Sequence, residues 1–153
     1  DQSVIFHMID ELGYSVDEVK GLLQEKSGML GLTGFSDLRE IETAASQGDE
    51  ACNLALRMNA YRVKKYIGAY TAAMNGLDAL VFTAGIGENS DLIRSLICAD
   101  MEFFGIHLDE DKNRVREHSI REIQTDGTEV SLLVVPTNEE LEIAKQSFGL
   151  LSP

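Results

Sequence analysis

Positive charge is scarce in this chain. Thirteen Lys and Arg stand against twenty-six Asp and Glu, a formal net charge of −13 over 153 residues. So acidic a surface argues against a nucleic-acid backbone or an anionic membrane as partner, although a locally positive site can still take a small anion. Proline is almost absent, at Pro136 and Pro153 only, and no linker, internal repeat or low-complexity tract divides the sequence. Cysteine is limited to Cys52 and Cys98, which sit in apolar helical patterns without CxxC spacing. They read as reduced packing cysteines of a cytosolic protein, not as a disulfide or a metal site. No stretch approaches the roughly 18 apolar residues of a membrane span. The opening "DQSVIFHMIDELG" has no basic segment and no small-residue cleavage site, so no signal peptide is expected in it. Asp1 stands where an initiator Met would, which leads us to expect an excised or processed piece.

What is present is the balance of a globular domain, with 44% hydrophobic and 25% charged residues. Val4, Ile5, Met8, Ile9 and Leu12 recur at helical spacing, and Gly13 ends that helix. "SVDE" at Ser15–Glu18 has the capping-box form, predicting a second helix to about Glu25. "SGMLGLTGF" (27–35) reads as a partly buried loop or a short extended segment. Ser36 is expected to cap "DLREIETAASQ", which Gly48 terminates. A long helix is predicted from about Asp49 to Met74, spanning nearly 40 Å at roughly 1.5 Å per residue. Its apolar residues, Leu54, Leu56, Met58, Tyr61, Val63, Ile67 and Tyr70, cover more than one stripe. Such a helix is usually buried centrally or against another subunit.

Asn75–Gly76 stops the long helix, and Ala79–Thr83 is a short apolar strand of the buried type. Ser90 caps a helix of about Asp91–Phe103, and "FFGIHLD" suggests a short edge strand. Residues 109–128 are polar and read as a surface excursion. "VSLLVVP" is a second buried strand, followed by a helix from Asn138 to about Ser147. Strands alternating with helices imply an α/β layer with parallel strands. About three strands are few for so many helices, so further strands are expected from outside the chain.

The strand Ala79–Thr83 runs into Gly85-Ile86-Gly87, with Glu88 and Asn89 behind. Ligands of open α/β sheets bind beyond the carboxyl ends of strands, and glycines there let a ring or a phosphate reach the backbone. Amide groups at the next helix start favour anions. The spacing is neither GxxxxGK[ST] nor GxGxxG, so a tight turn with left-handed glycines explains it equally. At the end of the second strand, Thr137 and Glu140 have capping-box spacing. That leaves Glu139 for a metal such as Mg²⁺, held directly or through water, or for the helix dipole. Arg39 lies near a helix start, where the dipole does not favour a cation; it is either a solvated side chain or a group that stacks on a base or binds a ribose or phosphate oxygen.

"SGMLGLTGFSDLREIE", "YRVKKYIGAY", "DALVFTAGIGENS", "FFGIHLDEDKN" and "VVPTNEELEIA", in this order and over nearly the whole chain, resemble the C-terminal portion of acetate kinases. The resemblance implies an α/β fold, a partial RNase H-like (sugar-kinase/actin-type) nucleotide domain, helix-rich with a small mainly parallel sheet. It implies a single C-terminal nucleotide-binding domain fragment over residues 1–153. It also implies a cytoplasmic enzyme, usually a homodimer, that transfers a phosphoryl group between ATP and acetate with Mg²⁺, giving ADP and acetyl phosphate. Gly85, Ile86, Gly87, Glu88 and Asn89 then resemble the family's adenosine loop. Asp37, Leu38 and Arg39 resemble its second nucleotide contact, with Arg39 against the adenine-ribose, and Glu139 matches its magnesium carboxylate. Leu38 replaces a frequent Phe and Glu40 a frequent Asp.

The family's phosphate loop, its acetate pocket and the arginines and histidine of its phosphoryl-transfer centre have no counterpart in this sequence. His7, His107 and His118 read as structural or surface residues. No catalytic residue is therefore expected in this chain, and the chain alone is expected to be inactive. A propionate or butyrate kinase of the same family is an alternative. So is a non-catalytic nucleotide-binding or dimerisation module.

Overall fold

A computed structural model describes residues 1–151. They form two compact units, residues 1–59 and the residues from 60 onward.

The first unit is helical. α1 (Ser3–Asp10) and α2 (Val16–Glu25) flank Gly13, which adopts φ +73°. The Ser15 hydroxyl accepts from the Glu18 amide at 3.3 Å, and the Glu18 carboxylate accepts from the Ser15 amide at 2.8 Å, completing the capping box that the spacing predicts. Residues 27–35 depart from expectation. They contain a helix, α3 (Gly28–Thr33), closed by Gly34 at φ +80°. Met29, Leu30 and Leu32 are good helix formers, and a Cβ on Gly31 would come within 2.7 Å of the Lys26 carbonyl oxygen. That glycine permits a close approach instead of breaking the helix.

α4 (Leu38–Ser46) is capped by Asp37, whose carboxylate accepts from the Arg39 amide at 2.9 Å; the cap lies one residue beyond the expected Ser36. α5 (Glu50–Met74) begins in this unit, with the Asp49 carboxylate accepting from the Cys52 amide at 2.8 Å. The Asn53 side chain donates to the Ala45 carbonyl at 3.0 Å and ties α5 to α4. Val19, Ile41, Ala45, Cys52, Ala55 and Leu56 are buried.

The second unit takes up the rest of α5 and leads into β1 (Ala79–Thr83) and α6 (Ala84–Asn89). α7 (Asp91–Cys98) follows, shorter than expected and succeeded by a 3-10 turn at Glu102–Phe104. Then come α8 (Glu110–Arg114), β2 (Arg121–Glu122), β3 (Ser131–Val135) and α9 (Glu139–Leu151). β3 lies between the other two strands, parallel to β1 and antiparallel to β2. Ala79 faces Ser131 and Thr83 faces Val135, so both parallel strands end at one level.

β3 buries Leu132 and Val134 as expected, but β1 does not read as a buried strand. It is an edge, with Phe82 buried and Val81 50% exposed on the other face. The expected strand in "FFGIHLD" reduces to one bridge between Leu108 and Gln124. The polar excursion is anchored, because Ile123 and Asn113 are fully buried within it. The core of this unit also includes Ile93, Ile97, Met101, Ile106 and Val130.

α5 is not enclosed. Leu54, Met58, Tyr61, Tyr66, Tyr70 and Met74 are exposed along it, and the Tyr66 and Tyr70 rings stack at 6.1 Å. Among the described residues no helix is long and apolar enough to cross a membrane.

Candidate functional site

β1 hands the chain to α6 through Ala84, which takes the left-handed conformation at φ +59°. Neither Gly85 nor Gly87 has positive φ. The reading of both as left-handed turn glycines is thereby replaced by a strained alanine followed by two glycines in a helical turn, and such strain is characteristic of functional turns. The two glycines differ. A Cβ on Gly87 would meet the Phe82 carbonyl carbon at 3.1 Å, so this glycine lets α6 lie on its own strand. A Cβ on Gly85 would meet nothing within 4 Å. Packing explains Gly87; it does not explain Gly85. The Asn89 side chain donates to the Gly85 carbonyl at 2.8 Å and closes the turn, leaving Ile86 exposed at its tip.

The ends of β1 and β3 are laced together. The Thr83 hydroxyl donates to the Val135 carbonyl at 2.8 Å. Beyond the strands, Glu88 Oε1 accepts from both the amide and the hydroxyl of Thr137, each at 2.8 Å. The two Thr137 donors, amide first, hold the Glu88 carboxyl below its ordinary range. Thr137 therefore does not cap α9 with Glu140. Asn138 does, its side-chain oxygen accepting from the Leu141 amide at 2.9 Å. Glu139 is the first residue of α9 and is exposed.

α6 is held from below by Arg94, a residue that sequence reasoning missed. Only 2% of it is exposed. Its Nη1 donates to the Gly87 and Glu88 carbonyls at 2.8 and 3.0 Å. Its Nε and Nη2 donate to the side-chain and backbone oxygens of Asn113, both at 2.7 Å. The available signal was periodic: Ser90, Arg94, Ile97 and Cys98 share the buried face of α7. Arg121 approaches the same Glu88 carbonyl at 3.4 Å, beside a cavity of ≈ 140 Å³ that Asn89, Arg116 and His118 also line.

Asp37, Leu38 and Arg39 belong to the first unit. Arg39 pairs with Asp37, its Nη2 at 2.5 Å and its Nε at 3.0 Å from the carboxylate oxygens, while its side chain stays 89% exposed. Hydrogen bonds from the guanidinium, then the Arg39 amide, bring the Asp37 pKa down to about 2. Phe35, Asp37, Arg39 and Thr43 line an open groove of ≈ 560 Å³. Leu38 is half-buried.

Among the described residues no cluster of three His, Cys, Asp or Glu could cage a metal. A Mg²⁺ ion needs fewer protein ligands than such a cage supplies. That ion keeps several waters and takes one or two carboxylates together with phosphate oxygens, and Glu139 offers one exposed carboxylate.

The fold is that of a partial, helix-rich α/β domain of the sugar-kinase/actin type, with its candidate site at the carboxyl ends of two parallel strands. The sequence matches the Acetokinase family over residues 1–145, and the chain belongs to that family. It is 61% identical to the acetate kinase of Flavobacterium johnsoniae over 151 residues, covering 99% of this chain and 38% of that protein. It is 49% identical to the acetate kinase of Carboxydothermus hydrogenoformans, again over 99% of this chain and 38% of the relative. The crystal structure of Porphyromonas gingivalis acetate kinase superposes with a TM-score of 0.88 at 42% identity, covering 99% of this chain and 38% of that one. A propionate kinase from Francisella tularensis superposes at 0.85 with 39% identity, covering 94% of this chain and 36% of that one. The chain thus spans about 38% of the length of the curated relatives it matches.

Proposed function

We propose that the protein containing this chain is a cytoplasmic acetate kinase, reversibly transferring the γ-phosphoryl group of ATP to acetate to give ADP and acetyl phosphate. The observation that carries this reading is the 61% identity to an acetate kinase over 99% of the chain. The chain's own part is binding and positioning. Gly85–Asn89 form the adenosine loop, where Gly85 leaves room for a flat ring and Ile86 gives it an apolar contact. Asp37, Leu38 and Arg39 form a second nucleotide contact. The Asp37 carboxylate holds the guanidinium plane of Arg39 for a base or ribose. Glu139 would hold Mg²⁺, which when bound would supply charge neutralisation at the phosphates. Phosphoryl transfer needs positioned cations around the equatorial oxygens, and those belong to parts of the protein beyond this chain.

Rates with acetate, propionate and butyrate on the full-length protein test the reading. Acetate should give the highest kcat/KM. The superposed propionate kinase supports a second reading, which a preference for propionate would establish. Calorimetric titration of the same protein with Mg·ATP should lose affinity in Arg39→Ala and in Gly85→Val. Retained affinity in both would overturn the assignment of the nucleotide contacts. A homodimer through the exposed face of α5 belongs to the same proposal, and a monomeric sedimentation mass at micromolar concentration would oppose it.

A further inference from the structure

A buried arginine that hydrogen-bonds to no carboxylate among the described residues needs an explanation. Taking a guanidinium out of water is costly unless each donor is satisfied. The hydrogen-bond partners of Arg94 are oxygens of amide groups: Gly87, Glu88 and both oxygens of Asn113. Burial lowers its pKa from the usual arginine value, which still leaves it charged at neutral pH. The oxygens it meets are not ordinary ones. Gly87 and Glu88 lie in the last turn of α6, and Asn113 in the last turn of α8. Helix C-termini leave carbonyls without intrahelical partners and carry partial negative charge. Two such ends converge on one guanidinium and add to the attraction of the nearby Asp91 carboxylate.

Asn113 completes the arrangement. It is fully buried, and its side-chain nitrogen donates to the Asp91 carbonyl and the Ser95 hydroxyl, each at 3.0 Å. Asn113 is thereby fixed to α7, the same helix that carries Arg94. α7 is anchored in the core of the second unit by its buried Ile93 and Ile97. α6 has fewer than two turns, a strained first residue and two glycines, and one side-chain bond, from Asn89 to the Gly85 carbonyl, closes it from within. Contacts from outside set its orientation: Arg94 on the Gly87 and Glu88 carbonyls, Arg121 on the Glu88 carbonyl and Thr137 on the Glu88 carboxylate.

We propose that Arg94, held by Asn113, is a positioning residue for the nucleotide loop. It fixes the Gly87 and Glu88 carbonyls and thereby the surface that residues 85–89 offer to adenosine. This inference rests on the reading of Gly85–Asn89 as that loop.

The test is steady-state kinetics on the full-length enzyme, with thermal melts of each variant. Arg94→Lys keeps the charge and loses the fork of donors. It should raise the KM for ATP about tenfold, more than it lowers kcat, with the KM for the carboxylic acid unmoved. Asn113→Ala should raise the same KM by about threefold, and the double variant should do little more than Arg94→Lys alone, because the two act as one unit. Ile106→Val, an equally internal change away from the clamp, should lower the melting temperature without moving the KM for ATP. If Arg94→Lys does not fold, Asn113→Ala carries the test.

An unchanged KM for ATP in a folded clamp variant would overturn the proposal, and so would equal rises in both KM values. Gly85→Val separates the two readings. If it abolishes ATP affinity while Arg94→Lys leaves it intact, only the clamp is wrong. If neither affects ATP, the loop assignment is wrong and the clamp proposal falls with it.

Discussion

Glu88 and Thr137 lie 49 residues apart in sequence and are joined by two hydrogen bonds of 2.8 Å from Thr137 to a single carboxylate oxygen. The contact joins the turn after β1 to the turn after β3, the two segments that carry the proposed adenosine loop and the proposed magnesium carboxylate. A residue expected to touch nucleotide is thus also the brace between two strand ends.

The brace makes a pH-dependent contribution. The folded pKa of Glu88 lies below the ordinary 4.5, so the stabilisation is fully present above that value and is lost as pH falls through the folded pKa. Glu88→Ala should cost about 1 kcal/mol near neutral pH. Glu88→Gln keeps an acceptor oxygen and does not titrate. The gap in melting temperature between wild type and Glu88→Gln should therefore stay constant from neutral pH down to about 4.5 and shrink as pH falls below it. A gap independent of pH would refute this account.

Gly85 and Gly87 should respond oppositely to alanine. Gly85 is in a helical turn with open space around it, so Gly85→Ala should raise stability by about 0.5 kcal/mol. Gly87→Ala drives a Cβ against the Phe82 backbone and should lower it by about 1–3 kcal/mol. Denaturant melts of the two variants decide, and changes of the same sign would contradict the packing described.

Both thiols should be inert in the folded protein. Burial pushes Cys98 up to about 12, and burial together with the neighbouring Asp49 raises Cys52. Neither forms a disulfide. An alkylating reagent at mildly alkaline pH should label them only after denaturant is added. Rapid labelling of the native protein would show that one of them is accessible.

The 153-residue chain, prepared alone, should form no acetyl phosphate from ATP and acetate. It carries the proposed binding residues and the proposed metal carboxylate, whereas phosphoryl transfer depends on cations placed around the moving group. A coupled assay that detects robust turnover by the purified chain would place the chemistry within it.

Local signals carried far in this sequence. The Ser15–Glu18 capping box, the bounds of β1 at Ala79–Thr83 and the stop at Asn75–Gly76 were legible because each depends on neighbours within a few residues. The family was legible because its motifs run along the chain in order. Other features were decided only by tertiary structure. Thr137 was expected to cap α9, but Glu88 takes both of its donors and Asn138 caps in its place. "SGMLGLTGF" offered glycines that signal a loop, yet Gly31 serves a close approach to the Lys26 carbonyl that no spacing announces. β1 read as buried from composition, and its place at the sheet edge exposed Val81. Arg94 was one more charged residue on a helix until folding brought Asn113, 19 residues away, and the end of α6 to its guanidinium. The Ser15–Glu18 cap and the stop after α5 are short-range, so sequence alone determined them. Partners for a buried charge or a competed hydroxyl come from distant segments, and only the folded chain brings those together.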